Sequence, residues 1–232
     1  MHNNTVYEWI LQQFTVSARE KSLQRVIPYL SALVQPGDNV LDLCCGSGPA
    51  TFFFEEQECT VTGIDFAPYM IALAKGEALL RESSAQFVEA DIFTYDLEKE
   101  QNNLISCLGN SINDFPLSDF ARLANLVFKA LKPQGHFVIE YHDASYEYMR
   151  RRVAYEGVYQ ESPERITYQF KEYLPEIGAY VKTISNETSG DKYDRMGYIY
   201  TVPVVQVTMG NSLALEGHHI LGENHFLDIF VK

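Results

Sequence analysis

The stretch VLDLCCGSG at residues 40–48 decides the fold, because it runs from a short apolar segment into a turn of small residues. Small residues let the backbone approach a ligand closely, and parallel α/β sheets bind ligands at the carboxyl ends of their strands. A second apolar segment, residues 61–64, ends in Asp65, seventeen residues after Gly48. A carboxylate at that place can accept both hydroxyls of a ribose. The sequence therefore predicts a nucleoside site between these two strands.

Outward from this stretch, helical periodicity alternates with short β-branched segments between residues 17 and 140. Such alternation is typical of βαβ units that build a parallel sheet. The pattern predicts helices over 17–34, 48–57, 67–82 and from Pro116 onward, and strands over 39–43, 60–64, 86–89, 103–107 and 136–140.

The pattern changes after Tyr146, where Tyr-rich segments indicate a small antiparallel insertion over about 146–200. Residues 201–211 suit a strand by their valine content and a helix by their position in the chain. The predicted strands of this part are 165–174, 179–188 and 193–200, followed by a closing hairpin over 213–221 and 225–231.

We therefore expect one α/β domain over residues 1–232, with a mostly parallel seven-stranded sheet and an antiparallel closing hairpin. A lid helix over about 1–16, carrying Tyr7 and Trp9, is expected to cover the ligand.

The charge balance argues against a nucleic-acid partner, because 18 basic and 31 acidic residues give a net charge of −13. Residues 1–10 lack the basic and apolar segments of a signal peptide, and no apolar run approaches the length of a membrane span. The four cysteines show neither zinc-ligand spacing nor a disulfide framework. We expect a cytoplasmic protein that contacts no membrane; the sequence does not indicate its oligomeric state.

The run at 40–48 resembles the first motif of class I S-adenosylmethionine-dependent methyltransferases, which have a Rossmann-like fold. A nicotinamide-dependent dehydrogenase fits less well, since Cys44 replaces the first glycine of the Gly-x-Gly-x-x-Gly fingerprint. The resemblance implies that S-adenosylmethionine is the cofactor and that it is bound by Asp42, Cys44, Gly46, Gly48 and the ribose-binding acid Asp65.

Two further segments carry the resemblance. The segment EADI at 89–92 resembles the adenine-binding loop of the family. It implies that Asp91 contacts the exocyclic amine of the adenine, and that its neighbours Ala90 and Ile92 also contact the cofactor. Phe66 and Met70 would flank the adenine ring, or else pack a helix.

The segment CLGNS at 107–111 resembles the turn of glycine N-methyltransferases and related small-amine enzymes. In that group the asparagine, here Asn110, touches the acceptor, while the Leu108 and Gly109 backbone faces the methionine half of the cofactor. Arg19 lies about where the group pairs an arginine with the cofactor carboxylate. Nucleic-acid amino-methylating enzymes carry an Asn/Asp-Pro-Pro-aromatic motif at this turn, which is absent here.

The acceptor is expected to be a small-molecule nitrogen or oxygen nucleophile, with an amine favoured. Tyr141 and His142 would form the wall of its pocket, and His142 is either a general base or a structural histidine. His142 stands where glycine-specific enzymes have an arginine, which argues against glycine as acceptor. No metal is expected. A cyclase or lyase that consumes the same cofactor, and a non-catalytic cofactor-binding protein, are the alternatives.

Overall fold

A computed structural model describes residues 16–143, 145, 156–158 and 165–232. The predicted lid helix, with Tyr7 and Trp9, lies outside these residues apart from Val16. Residues 146–155 and 159–164 of the predicted insertion also lie outside the described part of the chain.

The first half of the chain alternates helices and strands as expected. Its elements are α1 (Val16–Leu23), α2 (Ile27–Leu30), β1 (Asn39–Leu43), α3 (Pro49–Glu56), β2 (Thr60–Asp65), α4 (Pro68–Arg81), β3 (Gln86–Glu89), β4 (Asn102–Cys107), a 3-10 turn (Ser111–Asp114), α5 (Leu117–Ala130) and β5 (Leu131–His142).

The second half contains the insertion, one helix and the closing hairpin. Its elements are β6 (Glu156–Val158), β7 (Ile166–Leu174), β8 (Ala179–Asn186), β9 (Lys192–Tyr198), α6 (Val202–Gly210), β10 (Ala214–Gly222) and β11 (His225–Val231).

The predicted fold class is confirmed. A seven-stranded sheet has the order β10-β11-β5-β4-β1-β2-β3, and strands β1 to β5 pair in parallel. Strand β11 is antiparallel to β5, and β10 is antiparallel to β11. Strands β6 to β9 form a separate four-stranded antiparallel sheet.

The core lies on both faces of the seven-stranded sheet, as is usual for a parallel sheet covered by helices. On one face, Phe120, Leu123 and Val127 of α5 pack against Ile139 and other strand residues. On the other face, residues of α1 to α3 pack against strand residues that include Val138. Residues that follow each other along a strand therefore lie in different environments.

Two predicted elements differ from the structure. The helix expected over 17–34 is broken into α1 and α2, because Pro28, in the first turn of α2, has no N–H to donate back to the preceding turn. The segment 201–211, for which strand and helix were both open, forms helix α6. Val205 and Met209, four residues apart, bury one side of that helix.

Strand β5 is longer than the predicted 136–140 and determines the shape of the site. Strand β4 ends at Cys107, which pairs with Ile139, whereas β5 continues to His142. The last residues of β5 therefore project beyond β4 at the carboxyl edge of the sheet.

Candidate functional site

The site lies at the topological switch point of the sheet. Strand β1 pairs with β2 on one side and with β4 on the other, so the connections leave β1 in opposite directions and open a crevice at its carboxyl end. The loop at 44–48, Asp65, the loop at 89–92 and the turn at 107–111 all follow strand ends at this edge.

Asp65 holds the glycine loop from the neighbouring strand. Its Oδ2 accepts a hydrogen bond from the Gly46 N–H at 2.9 Å, and its Oδ1 accepts one from the Ala67 N–H at 2.9 Å. Asp65 is therefore a loop-organising residue as well as the candidate ribose acid.

The two positions of the loop that carry glycine favour it for different structural reasons. Gly46 has φ +56°, and a Cβ atom there would meet nothing closer than the Met70 Sδ at 3.9 Å, so space beside Gly46 is left open. Gly48 has φ +87°, and a Cβ atom there would lie 2.7 Å from the Phe87 ring. Gly46 therefore borders space that a ligand can use, while Gly48 serves the packing of the loop.

Asp42 lies beneath the loop and ties three elements together, which differs from the expected cofactor contact. Its side chain is 1% exposed, and its two oxygens accept hydrogen bonds from the hydroxyls of Thr51 and Ser106, both at 2.7 Å. Burial raises the pKa of Asp42 to about 6. The carboxylate positions β1, α3 and β4 below the loop.

Cys44 occupies the first small position of the loop with φ 57°. The neighbouring Cys107 thiol, at the end of β4, and burial raise the pKa of Cys44 well above its ordinary value. The thiol is therefore protonated, and Cys44 packs against the core cluster that holds Cys107.

The predicted adenine loop is divided between exposed and buried residues. Asp91 is exposed, and its Oδ1 accepts a hydrogen bond from the Phe93 N–H at 2.9 Å. Ala90 donates its N–H to the Asp65 carbonyl at 2.9 Å, and Ile92 belongs to the core.

Of the two residues expected to flank the adenine ring, Phe66 is half-buried, whereas Met70 is 1% exposed and turns its sulfur toward Gly46. Only Phe66 keeps a partly accessible ring, so for Met70 the structure favours the helix-packing alternative.

At the turn after β4, Asn110 and Asn113 complete the edge of β5 where β4 has ended. Asn110 has φ +66°, and its Oδ1 accepts a hydrogen bond from the His142 N–H at 2.7 Å. The Nδ2 of Asn113 donates to the carbonyls of His142 at 3.2 Å and Tyr198 at 3.0 Å. The expected acceptor contact of Asn110 therefore competes with this bond at its Oδ1, and Asn113 joins β5 to the insertion.

Tyr141 lies in the core, which differs from its expected place in a pocket wall. Its side chain is 0% exposed, and its hydroxyl donates to Asp228 Oδ2 at 3.0 Å. Burial, with the Asp228 carboxylate as a second cause, raises the pKa of Tyr141 well above its ordinary value. Because β5 alternates its faces, Tyr141 points to the opposite side of the sheet from His142.

His142 is a partly buried residue whose ring stacks on that of His225, with 4.1 Å between the ring centroids. Burial and the neighbouring His225 lower the pKa of His142 to about 4. The imidazole is therefore neutral at pH 7, and it is a much weaker base than an exposed histidine.

Glu140 is a site residue that sequence reasoning missed. It is almost fully buried on the same face of β5 as His142; its Oε2 accepts a hydrogen bond from the Gly109 N–H at 2.7 Å, and its Oε1 accepts one from His225 Nε2 at 2.6 Å. The available signal was a charged residue near the end of an otherwise apolar strand, which requires a buried partner.

Leu108, the residue before Gly109, is buried in the core cluster that also holds Ala50 of α3. Gly109 itself is exposed, with φ +69°. The Leu108 side chain thus contributes to the same core cluster as the first turn of α3, while the next residue reaches the surface. Arg19 lies in α1, and its side chain is outside the described part of the structure.

The loop, the acid at the end of β2 and the antiparallel last strand define a Rossmann-like fold of the methyltransferase type. Residues 40–135 match the family described as a methyltransferase domain. This match extends from strand β1 into strand β5.

Similarity to individual proteins extends beyond that segment. An uncharacterized methyltransferase from Synechocystis is 26% identical over 139 residues, which cover 57% of this chain and 62% of that relative. The chain thus covers less than two thirds of that relative's length.

Among solved structures, the PH0226 protein from Pyrococcus horikoshii has a TM-score of 0.76 at 20% identity, covering 92% of this chain and 91% of its own. An amino pentose methyltransferase from Micromonospora echinaspora, solved with S-adenosylmethionine bound, has a TM-score of 0.65 at 17% identity, covering 97% and 96%. At these identities the likeness shows the fold. Within the described residues, no helix is both long and apolar enough to cross a bilayer.

Proposed function

We propose that the protein transfers a methyl group from S-adenosylmethionine to a nitrogen or oxygen nucleophile of a small molecule, with an amine favoured. The observation that carries the proposal is the hydrogen bond of Gly46 to Asp65, because it places a small-residue loop with open space beside a carboxylate at the switch point. The resemblance of the 107–111 turn to small-amine enzymes supports the acceptor class.

The residues present fit this cofactor. Asp65 would hold the ribose, Asp91 the adenine amine, Gly46 and the Leu108-Gly109 backbone the methionine half, and Arg19 its carboxylate. When bound, the cofactor supplies a methyl group that is already activated on a cationic sulfur. What the chain adds is alignment of the acceptor and exclusion of water.

The acid–base groups at the turn favour an amine. The pKa of His142 is about 4, so this imidazole is a poor base at neutral pH. Both oxygens of Glu140 already accept hydrogen bonds, from Gly109 and His225. An acceptor that is nucleophilic once it has lost its own proton, as an amine is, suits this site better than one that needs a strong base.

The likeness to an amino pentose methyltransferase is compatible with an amine acceptor. The net charge of −13 disfavours polyanionic substrates such as nucleic acid. We also propose that this protein binds neither nucleic acid nor membrane.

Calorimetric titration with S-adenosylmethionine and S-adenosylhomocysteine tests the cofactor proposal directly, and an absence of binding to both would refute it. Incubation with S-adenosylmethionine and a panel of small amines should give S-adenosylhomocysteine and a product heavier by one methylene unit in the mass spectrum. Cofactor breakdown without any acceptor would instead identify a cyclase or lyase.

A further inference from the structure

We propose that Glu140 and His225 are positioning residues that fix the Leu108-Gly109 backbone against the methionine end of the cofactor. This inference rests on the proposed function, and it assigns a role to the C-terminal strand β11. Neither residue needs to touch the cofactor, since both act through the Gly109 amide.

The contacts form a continuous path from β11 to the turn. His225 Nε2 donates to Glu140 Oε1 at 2.6 Å, and Gly109 N–H donates to Glu140 Oε2 at 2.7 Å. His225 lies directly opposite His142 in the pairing of β11 with β5, and the two rings stack. One carboxylate therefore connects the turn after β4 to the last strand of the sheet.

The turn is adjacent to the cofactor loop. Leu43, the last residue of β1, pairs with Cys107, and Cys44 packs against the core cluster that holds Cys107. Leu108 packs in the same core cluster as Ala50, in the first turn of α3. A displacement of Gly109 would therefore change one wall of the space beside the glycine loop.

Stability alone does not account for the pair. A buried carboxylate and imidazole can often be replaced by apolar groups without loss of stability, because burial of charge is costly. In the described part of the chain, His225 Nδ1 is also buried without a hydrogen-bond partner, which adds to this cost. What the pair provides is a carboxylate acceptor, held in place by His225, for the Gly109 amide of the turn.

The same two strands offer a matched control on the other face of the sheet. Asp228, also fully buried, accepts hydrogen bonds from His218 Nδ1 at 2.5 Å and from the Tyr141 hydroxyl. Within the described residues, this second pair of carboxylate and imidazole has no hydrogen bond to the 108–110 turn. Loss of its charge should affect stability without affecting the cofactor.

The test compares S-adenosylhomocysteine affinity, measured by calorimetry, for wild type, Glu140→Gln and Asp228→Asn. The neutral amide oxygen of a glutamine is a weaker acceptor for the Gly109 N–H than a carboxylate oxygen. The NH₂ group of the glutamine would also be placed opposite His225 Nε2, where the carboxylate has an acceptor. We expect affinity about tenfold weaker for Glu140→Gln and within about twofold of wild type for Asp228→Asn. Equal affinities for the two variants would overturn the inference while leaving the proposed function intact, whereas an absence of binding by wild type would refute the proposed function itself.

A second measurement uses the unmodified protein and does not depend on the folding of variants. In protein labelled with ¹⁵N-glycine, the Gly109 amide should exchange slowly with solvent, although the residue is exposed, and its resonance should shift when S-adenosylhomocysteine is added. Fast exchange, or an unchanged Gly109 signal while Gly46 shifts, would overturn the inference.

Discussion

The Asp65 carboxylate holds the amides of Gly46 and Ala67, and it is also the residue that we propose binds the ribose. We predict that Asp65→Ala weakens S-adenosylmethionine binding by about 1–3 kcal/mol, since both the loop and the ribose lose a charged acceptor. Calorimetry measures the change. Asp65→Asn, which keeps one carbonyl oxygen, should lose less. An alanine variant with wild-type affinity would contradict the assignment.

Gly46 and Gly48 provide a matched pair of substitutions with opposite expected outcomes. Gly46→Val should abolish cofactor binding, because its side chain enters the open space beside the loop, where the nearest protein atom is 3.9 Å away. Gly48→Ala should chiefly lower stability, by about 1–3 kcal/mol beyond the cost of its positive φ, because its Cβ meets Phe87. Cofactor titration and urea unfolding of both variants separate the effects. If Gly46→Val bound the cofactor with wild-type affinity, the loop would be only a turn between β1 and α3 and not part of the cofactor site.

His142 should stay neutral across the physiological range. Its pKa in the folded protein, about 4, lies below the ordinary value of 6.5, so the neutral form favours folding. This contribution to stability is present above pH 6.5 and is lost as the pH falls through 4. Titration of the ring by NMR, with His142→Asn to assign the resonance, should give a midpoint well below pH 6. A midpoint near 6.5 would restore His142 as a general base.

At the scale of elements, Asp42 links β1, α3 and β4, and its titration should appear in stability. Its pKa is about 6 in the folded protein and 3.8 ordinarily, so the protonated form favours folding. This contribution is fully present below about pH 4 and is lost as the pH rises through 6. We predict that, relative to Asp42→Asn, the unfolding free energy of wild type falls by about 2 kcal/mol between pH 4 and 7. Urea unfolding of both proteins measures this, and parallel pH curves would contradict it.

The elements near the glycine loop could be predicted from the sequence because each carries its own periodic pattern. Strands 39–43 and 86–89 match the structure, since local apolar runs bounded by turn residues determine them. The break in the helix expected over 17–34 could not be predicted in this way. The apolar spacing continues past Pro28, but the helical hydrogen bonding of the backbone is interrupted before it.

Which partner each site residue contacts was less accessible to sequence reasoning. Whether Tyr141 or His142 faces the site depends on the register of β5 and on the alternation of its side chains. The hydrogen bond between Asn110 and His142 forms only because β5 extends beyond the end of β4. The bond of Glu140 to His225 joins residues 85 positions apart. Such contacts arise only when the sheet has assembled, so a motif can locate the site while leaving the roles of its neighbours open.

At the scale of the whole molecule, the net charge of −13 acts on every ligand that approaches. A field of this sign attracts cations over distances of about one Debye length, roughly 10 Å at 0.1 M salt, and the attraction weakens as salt is added. A protonated amine is therefore attracted toward the protein before it loses its proton, whereas a neutral alcohol is not. The overall charge and the weak basicity of His142 thus favour the same acceptor class.

We predict that an amine acceptor shows a KM that rises with ionic strength, while its matched hydroxyl analogue shows slower turnover and no such salt dependence. Formation of S-adenosylhomocysteine, followed at about 20 and 300 mM salt with pairs of amino and hydroxyl compounds of one scaffold, measures both effects. The hydroxyl analogue serves as the control, because it has the same shape but is not attracted by the field. Salt should leave kcat nearly unchanged, since screening acts on the encounter and not on the aligned complex. Faster methylation of the hydroxyl compound, or an amine KM that does not respond to salt, would contradict the preference for an amine and direct the search toward oxygen nucleophiles.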